Sequence, residues 1–345
     1  MSSRTEAQFS VPHPRETTDL FGHREAETAL LNAYRSGRIP HAWLIGGPQG
    51  VGKATLAYRM ARFVLANPDP HSATVRRAEN LSVDSSDPTS RRIAAEAHGG
   101  LLVLQRTAND KGVMRTVITV DETRETITFF GSTAAAEGWR VCIVDTVDEL
   151  NPNAANALLK TLEEPPRQSL FLLISHAPGR VLPTILSRCR RLPLRPLADA
   201  DVIKAVSRAT GLAANDPALL EAAEASEGSA ARALTLLGGD AVKLHNKTAA
   251  LLAALPRLDP RELHALGDAL GGSDKVALAT FVDSVDRWVG ACMRTAAPNA
   301  DLPRLARLAE VWEKISRAAR DTAEYNLERK PLVFSVFGML AEATR

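Results

Sequence analysis

Cysteine is scarce in this chain. Cys142, Cys189 and Cys292 are the only three in 345 residues, and each stands apart from the others. Three separated thiols build neither a disulfide framework nor a four-thiolate metal site, and their scatter suits a reducing compartment. Histidine does not fill the gap, because His71 and His98 are isolated, without ligand spacing, and read as surface or capping residues. No apolar run reaches the length of a membrane span, and the opening residues lack the apolar centre of a secretory signal. An excess of either charge is missing as well: 42 Lys and Arg face 40 Asp and Glu, a net +2. A free-standing basic DNA-binding domain is more cationic than this, so any DNA contact has to be collective. The expectation is a soluble cytoplasmic protein. Its hydrophobic content of 45% supports real cores, and its length suits two or three domains.

Against these absences, one motif is nearly complete. Gly47-Pro48-Gln49-Gly50-Val51-Gly52-Lys53-Ala54 fits the G-x-x-x-x-G-K-[ST] phosphate-binding loop up to its last position. There the hydroxyl that holds magnesium is replaced by a methyl group. Thr55 comes one residue late, and on a helix that offset turns a side chain by about 100°. Ala42 to Ile45 reads as a strand before the loop and Thr55 to Ala66 as an amphipathic helix after it. Strand, loop and helix together predict an α/β P-loop domain with Gly47, Gly50, Gly52 and Lys53 as phosphate-binding candidates.

Val141-Cys142-Ile143-Val144-Asp145 is an apolar run closing on an acid, as expected of a parallel strand buried on both faces. At that end Asp145 would sit beside the loop and could join a magnesium shell. The residue after it is Thr146, which cannot act as a base near neutral pH. Asp148 and Glu149 lie beyond the strand and are expected to face solvent. Metal ligand and base are both altered, and each lost group typically costs about 10²-fold or more in rate. Efficient hydrolysis by this chain is not expected.

Farther along, Asn151 and Pro152 form a helix start, and Leu158, Leu159 and Leu162 a buried stripe. Lys160, Glu163 and Glu164 point outward, and Pro165-Pro166 stops the helix. Leu170 to Ile174 returns as a buried strand ending at Ser175 and His176. Pro183-Thr184-Ile185-Leu186-Ser187-Arg188-Cys189 follows. The order of P-loop, aspartate strand, N-A-L-L-K-T-L-E-E-P-P helix, apolar strand and S-R-C resembles the bacterial clamp-loader branch of the AAA+ ATPases. The resemblance runs from about Thr18 to the C-terminus and is weakest in the middle and over the last hundred residues.

That resemblance implies an α/β P-loop AAA+ domain, a small helical lid and an all-α collar. It implies that Arg188 is an arginine finger reaching into a neighbouring subunit's ATP site. Such fingers contribute roughly 10³–10⁵ in rate in the best-studied phosphoryl-transfer systems. Without the resemblance, Arg188, Arg190 and Arg191 would read as a solvated cluster. Ser175 or His176 becomes a candidate phosphate sensor. The Glu227-to-Leu234 segment resembles a second sensor helix, but Arg232 sits one residue late there and Ala231 holds its place. The altered site suggests a stator of a DNA polymerase III clamp loader, with negligible turnover of its own. Its implied partners are the gamma/tau ATPase and delta subunits, the sliding clamp and primed DNA, with no membrane, and its implied place is the replisome. Weak binding of ATP or ADP stays open. The family's four-cysteine zinc module cannot form here, so no metal is expected. A rival reading is an active gamma/tau-like ATPase with magnesium held by Thr55. A P-loop small-molecule kinase has no need of the S-R-C segment or the helical end.

The expected boundaries are 1–195 for the P-loop domain, 196–242 for the lid and 243–345 for the collar. The polar insert at 67–100 should form loops and one short helix around Arg91 to Ala97, with no core of its own. Helices are expected at 246–255, 260–270, 274–296, 301–320 and 322–344, with Ser273 capping the third. Trp288 and Trp312 read as intramolecular core or as interface anchors.

Overall fold

A computed structural model of the chain describes residues 12–108, 115, 117–131, 138–237, 241–271, 275–296 and 302–344. Ser273 lies outside them. The described residues fall into two compact units, Ser10–Ala214 with Glu227–Ala231, and Asn215–Ser226 with Arg232–Arg345.

The first unit is built on five parallel strands: β1 (Ala42–Gly46), β2 (Leu101–Gln105), β3 (Arg140–Asp145), β4 (Ser169–Ser175) and β5 (Arg190–Pro193). Their order across the sheet is β2-β3-β4-β1-β5. The central strands alternate between two cores. Trp43, Ile45, Val141, Ile143, Leu170, Leu172 and Ile174 face one apolar cluster. Leu44, Cys142, Val144, Phe171 and Leu173 face the other. Continuous apolar runs are therefore required, since helices cover both faces. Helices α1 (Arg24–Arg35) and α2 (Lys53–Ala66) cover the first face through Leu30, Leu31, Leu56, Met60 and Phe63. On the second face lie α5 (Val120–Gly131) and α6 (Pro152–Glu163), through Phe130, Ala155, Leu158 and Leu162. The Asn151 side chain accepts from the Ala154 N–H, which confirms the helix start read from Asn-Pro. Register fixes the site, because Gly46 pairs with Ser175 and Asp145 with Ile174. The P-loop, Asp145 and Ser175 thus share one carboxyl edge, where open parallel sheets present ligands.

The insert differs from expectation. It carries two short helices, α3 (Ala73–Arg77) and α4 (Pro88–Ala94), in place of one near 91–97. Ser72 caps the first, and Asp87 followed by Pro88 starts the second. That Asp-Pro start is the sequence signal for the earlier boundary. The insert has no core of its own, as expected, but it does not lie loose. Val75, Leu81 and Ile93 are buried in the first apolar cluster. Around them, the Glu27 carboxylate accepts from Arg59 Nε at 2.5 Å and from the Leu81 N–H at 2.9 Å. Arg35 donates to the carbonyls of Val75 and Ala78.

After α7 (Pro183–Leu186) and α8 (Asp199–Thr210), the second unit is helical throughout its described residues: α9 (Pro217–Ala225), α10 (Ala230–Leu236, most of it in this unit), α11 (Ala241–Ala253), α12 (Pro260–Leu270), α13 (Lys275–Ala296), α14 (Leu302–Glu324) and α15 (Arg329–Ala343). Helix α11 starts five residues before the expected 246, and α14 runs four beyond 320. The core holds Leu251, Leu266, Phe281, Val285, Ile315, Val333 and Phe337, and Trp288 and Trp312 pack against it partly buried. The indole N–H of Trp312 donates to Asp286 at 2.9 Å.

Candidate functional site

The loop between β1 and α2 turns through three glycines with positive φ, at Gly47, Gly50 and Gly52. At Gly50 (φ +77°) a Cβ would strike the Ser229 hydroxyl and Ala231, so this position needs glycine for conformation and for space. The Glu227–Ala231 segment belongs to the same compact unit and leans on the loop. Ser229 Oγ donates to the Gln49 carbonyl at 3.0 Å, and the Ala231 N–H donates to the Gly50 carbonyl at 3.3 Å. On another side, His23 Nε2 lies 2.7 Å from the Val51 carbonyl.

Lys53 opens α2 and is 3% exposed. Its Nζ donates to the carbonyls of Gly47 at 2.7 Å and Pro48 at 2.5 Å. Burial draws its pKa down to about 8, against the opposing pull of the Asp145 and Asp148 carboxylates. Asp145 ends β3, and burial raises its pKa while the Lys53 ammonium works the other way. The glycine cradle and the ammonium fit a polyphosphate, and the Asp145 carboxylate could join them only through a cation. The magnesium set is half-built, with Asp145 in place, a methyl group at Ala54 and the Thr55 hydroxyl one position further along the helix.

Beyond β3, the structure corrects the reading of Asp148 and Glu149. Asp148 does not face open solvent. It is half-buried and accepts from Ser175 Oγ at 2.7 Å, the His176 N–H at 2.5 Å and the Ala177 N–H at 3.3 Å. A turn after a buried strand leaves backbone donors without partners, and a nearby carboxylate collects them. Glu149 is half-buried and pairs with Arg106 at 2.8 Å. Ser175 is fully buried with its hydroxyl committed to Asp148, whereas the His176 side chain is exposed at the same strand end.

Arg188 follows α7 and is anchored on two sides. Nη1 donates to the Thr184 carbonyl at 2.8 Å and to Ser187 Oγ at 3.3 Å, and Nη2 pairs with Glu163 at 2.6 Å. Arg190 lies over the Trp43 ring, 5.2 Å from its centroid. Arg232, in the helical unit, is 8% exposed. It pairs with Asp283 at 3.1 Å and donates from Nη2 to His245 Nδ1 at 3.0 Å. Asp283 also pairs with Arg287, at 3.3 Å. Cys189 is half-buried, and burial pushes its thiol up to about 12, which disfavours the thiolate. His98, read as a surface or capping residue, accepts at Nδ1 from the Gly100 N–H at 3.1 Å.

His23, Asp148, Glu163 and Ser229 were missed as site residues from sequence. Only Ser229 had a signal, its place in the Gly-Ser-Ala segment.

The sheet order, the loop after β1 and the acid ending β3 define a P-loop protein of the AAA+ class. The family model described as DNA polymerase III, delta subunit, matches residues 22–198. The chain belongs to that family. Relatives bear matching names: DNA polymerase III subunit delta' of Escherichia coli is 32% identical over 284 residues, covering 80% of this chain and 78% of the relative. The subunit delta' of Pseudomonas aeruginosa is 37% identical over 149 residues, 43% of this chain and 41% of the relative. The tau/gamma subunit of Haemophilus influenzae is 28% identical over 226 residues, 65% of this chain and 30% of the relative. The chain thus spans less than half the length of the last two.

Proposed function

We propose that this chain is the delta-prime stator of a DNA polymerase III clamp loader. It presents Arg188 to the ATP site of a neighbouring gamma/tau-type ATPase and turns over no ATP itself. One observation carries this reading: cradle, Lys53 and Asp145 stand together on one strand edge, while Ala54 and Thr146 occupy the positions of the metal-binding hydroxyl and the base. The site keeps the shape that holds a polyphosphate and lacks groups that activate water. Gly47, Gly50, Gly52 and Lys53 would hold any ATP or ADP that binds, weakly for want of a complete magnesium shell. Ser175, which ends β4, and His176, which follows it, remain the sensor candidates, while Arg232, engaged by Asp283 and His245, is the weakest of the three. No zinc is required.

The proposed partners are gamma/tau and delta subunits, the sliding clamp, and primed DNA touched collectively, consistent with the near-neutral charge. Among the described residues no helix is long and apolar enough to cross a membrane. Work at the replisome in the cytoplasm follows from this role. The chain divides functionally into a P-loop domain, a lid from about 196 and a collar from about 243, the collar holding the ring together.

The deciding experiment is DNA- and clamp-stimulated ATPase of the reconstituted loader with Arg188→Ala or Lys53→Ala in this chain. The expected outcome is at least a tenfold loss at the neighbouring site for Arg188→Ala and no loss for Lys53→Ala. The reverse pattern would identify an active gamma/tau-like ATPase, a reading favoured by the tau/gamma relative.

A further inference from the structure

Glu163 is the last residue of α6, and a carboxylate there opposes the negative end of the helix dipole. The position is electrostatically poor for the helix itself, yet the side chain is engaged. Its Oε1 lies 2.6 Å from Arg188 Nη2 across 25 residues of sequence. Arg188 carries five N–H donors in one plane. Two on Nη1 go to the Thr184 carbonyl and Ser187 Oγ, and one on Nη2 goes to Glu163. Among the described residues, Nε–H and the second Nη2 hydrogen have no acceptor. Both nitrogens are bonded to Cζ, and such donors are what an arginine offers to a phosphate or carboxylate. Thr184 and Ser187 hold one end of the guanidinium from its own turn. Glu163, on a different helix, holds the other end and sets the rotation of the plane. The side chains are 33% and 49% exposed, so the pair can be approached from outside.

We propose that Glu163 is the positioning residue of Arg188: it fixes the guanidinium plane so that the remaining donors of Arg188 face a phosphate of the neighbouring subunit. The inference rests on the arginine-finger reading above. A finger without Glu163 keeps its charge but samples other rotamers, and misplacement of this kind lowers the chemical step more than substrate binding.

The test is steady-state ATPase of the reconstituted loader, with ATP titrated, for Glu163→Ala, Glu163→Gln, Arg188→Ala and the Glu163→Ala/Arg188→Ala double variant. Glu163→Ala should lower kcat roughly tenfold while KM for ATP stays within about twofold. Glu163→Gln, whose amide oxygen can still accept from Nη2, should recover most of that loss. The double variant should be no slower than Arg188→Ala alone, because both changes remove one function. The Tm of this chain should move by no more than about 3 °C, since a half-exposed pair contributes little to folding. A Glu163→Ala loader with wild-type or higher kcat, alongside a slow Arg188→Ala loader, overturns the positioning role and leaves the finger standing. Wild-type turnover with Arg188→Ala overturns the finger itself and the role of Glu163 with it.

Discussion

A lysine at the mouth of a phosphate loop is ordinarily regarded as a charge waiting for a ligand, but Lys53 is also a buried group whose burial has a cost. Its pKa falls to about 8 from the ordinary 10.5, so the folded chain binds that proton less tightly than the unfolded chain. Below pH 8 the full penalty applies, of the order of 3 kcal/mol. It is relieved as pH rises from about 8 toward 10.5, where the unfolded state holds more protons than the folded one. Wild type should therefore gain stability relative to Lys53→Met across that window, measured as the difference in urea unfolding free energy at pH 7 and pH 10. A pH-independent difference would show that the loop carbonyls of Gly47 and Pro48 compensate the ammonium fully. Ala54 and Thr146 are legible at this same scale, because a missing hydroxyl or carboxylate is visible in the sequence. The partners of Asp148 and Arg188 are not, since each depends on which turn or helix end comes within 3 Å.

Among the elements, the insert at 67–100 shows what composition alone conceals. Its polar residues point to loops, and its apolar residues are too few for a core, so on sequence it looks detachable. Three of them, Val75, Leu81 and Ile93, enter the core of the P-loop unit, and Glu27 joins α1 to Arg59 on α2 and to the insert backbone. Replacing Glu27 with Ala leaves a buried guanidinium short of its carboxylate and a buried N–H without an acceptor. We expect a loss of about 3 kcal/mol in chemical denaturation. Limited proteolysis should then cut first within 68–99, and an unchanged cleavage pattern would mean the apolar plugs suffice. The strands behaved differently: β1, β3 and β4 were all readable from uninterrupted apolar runs, because burial on both faces leaves no alternation to disguise them.

The whole molecule comprises two units of different chemistry, one holding the sheet and phosphate loop and the other all helical where described. Arg232 belongs to the second, where it pairs with Asp283 and His245. Arg232→Ala should destabilise the helical unit by about 2 kcal/mol, seen as an earlier transition in thermal unfolding of the full chain. Binding of a fluorescent ADP analogue should be unaltered. A weakened affinity with unchanged melting would instead make Arg232 a phosphate sensor.

From the sequence alone follow the P-loop architecture, the missing hydroxyl and base, the helical end and the clamp-loader resemblance. Each is carried by residues close together in the chain, where spacing translates directly into a strand, a turn or a helix face. Tertiary structure decided what the charged side chains do. Glu163 meets Arg188 at 25 residues' separation, Ser175 meets Asp148 at 27, and Glu27 reaches the Leu81 N–H at 54. Hydrogen bonds and ion pairs act over a few ångströms, so their partners are settled only when the sheet register and helix packing bring distant segments to one edge.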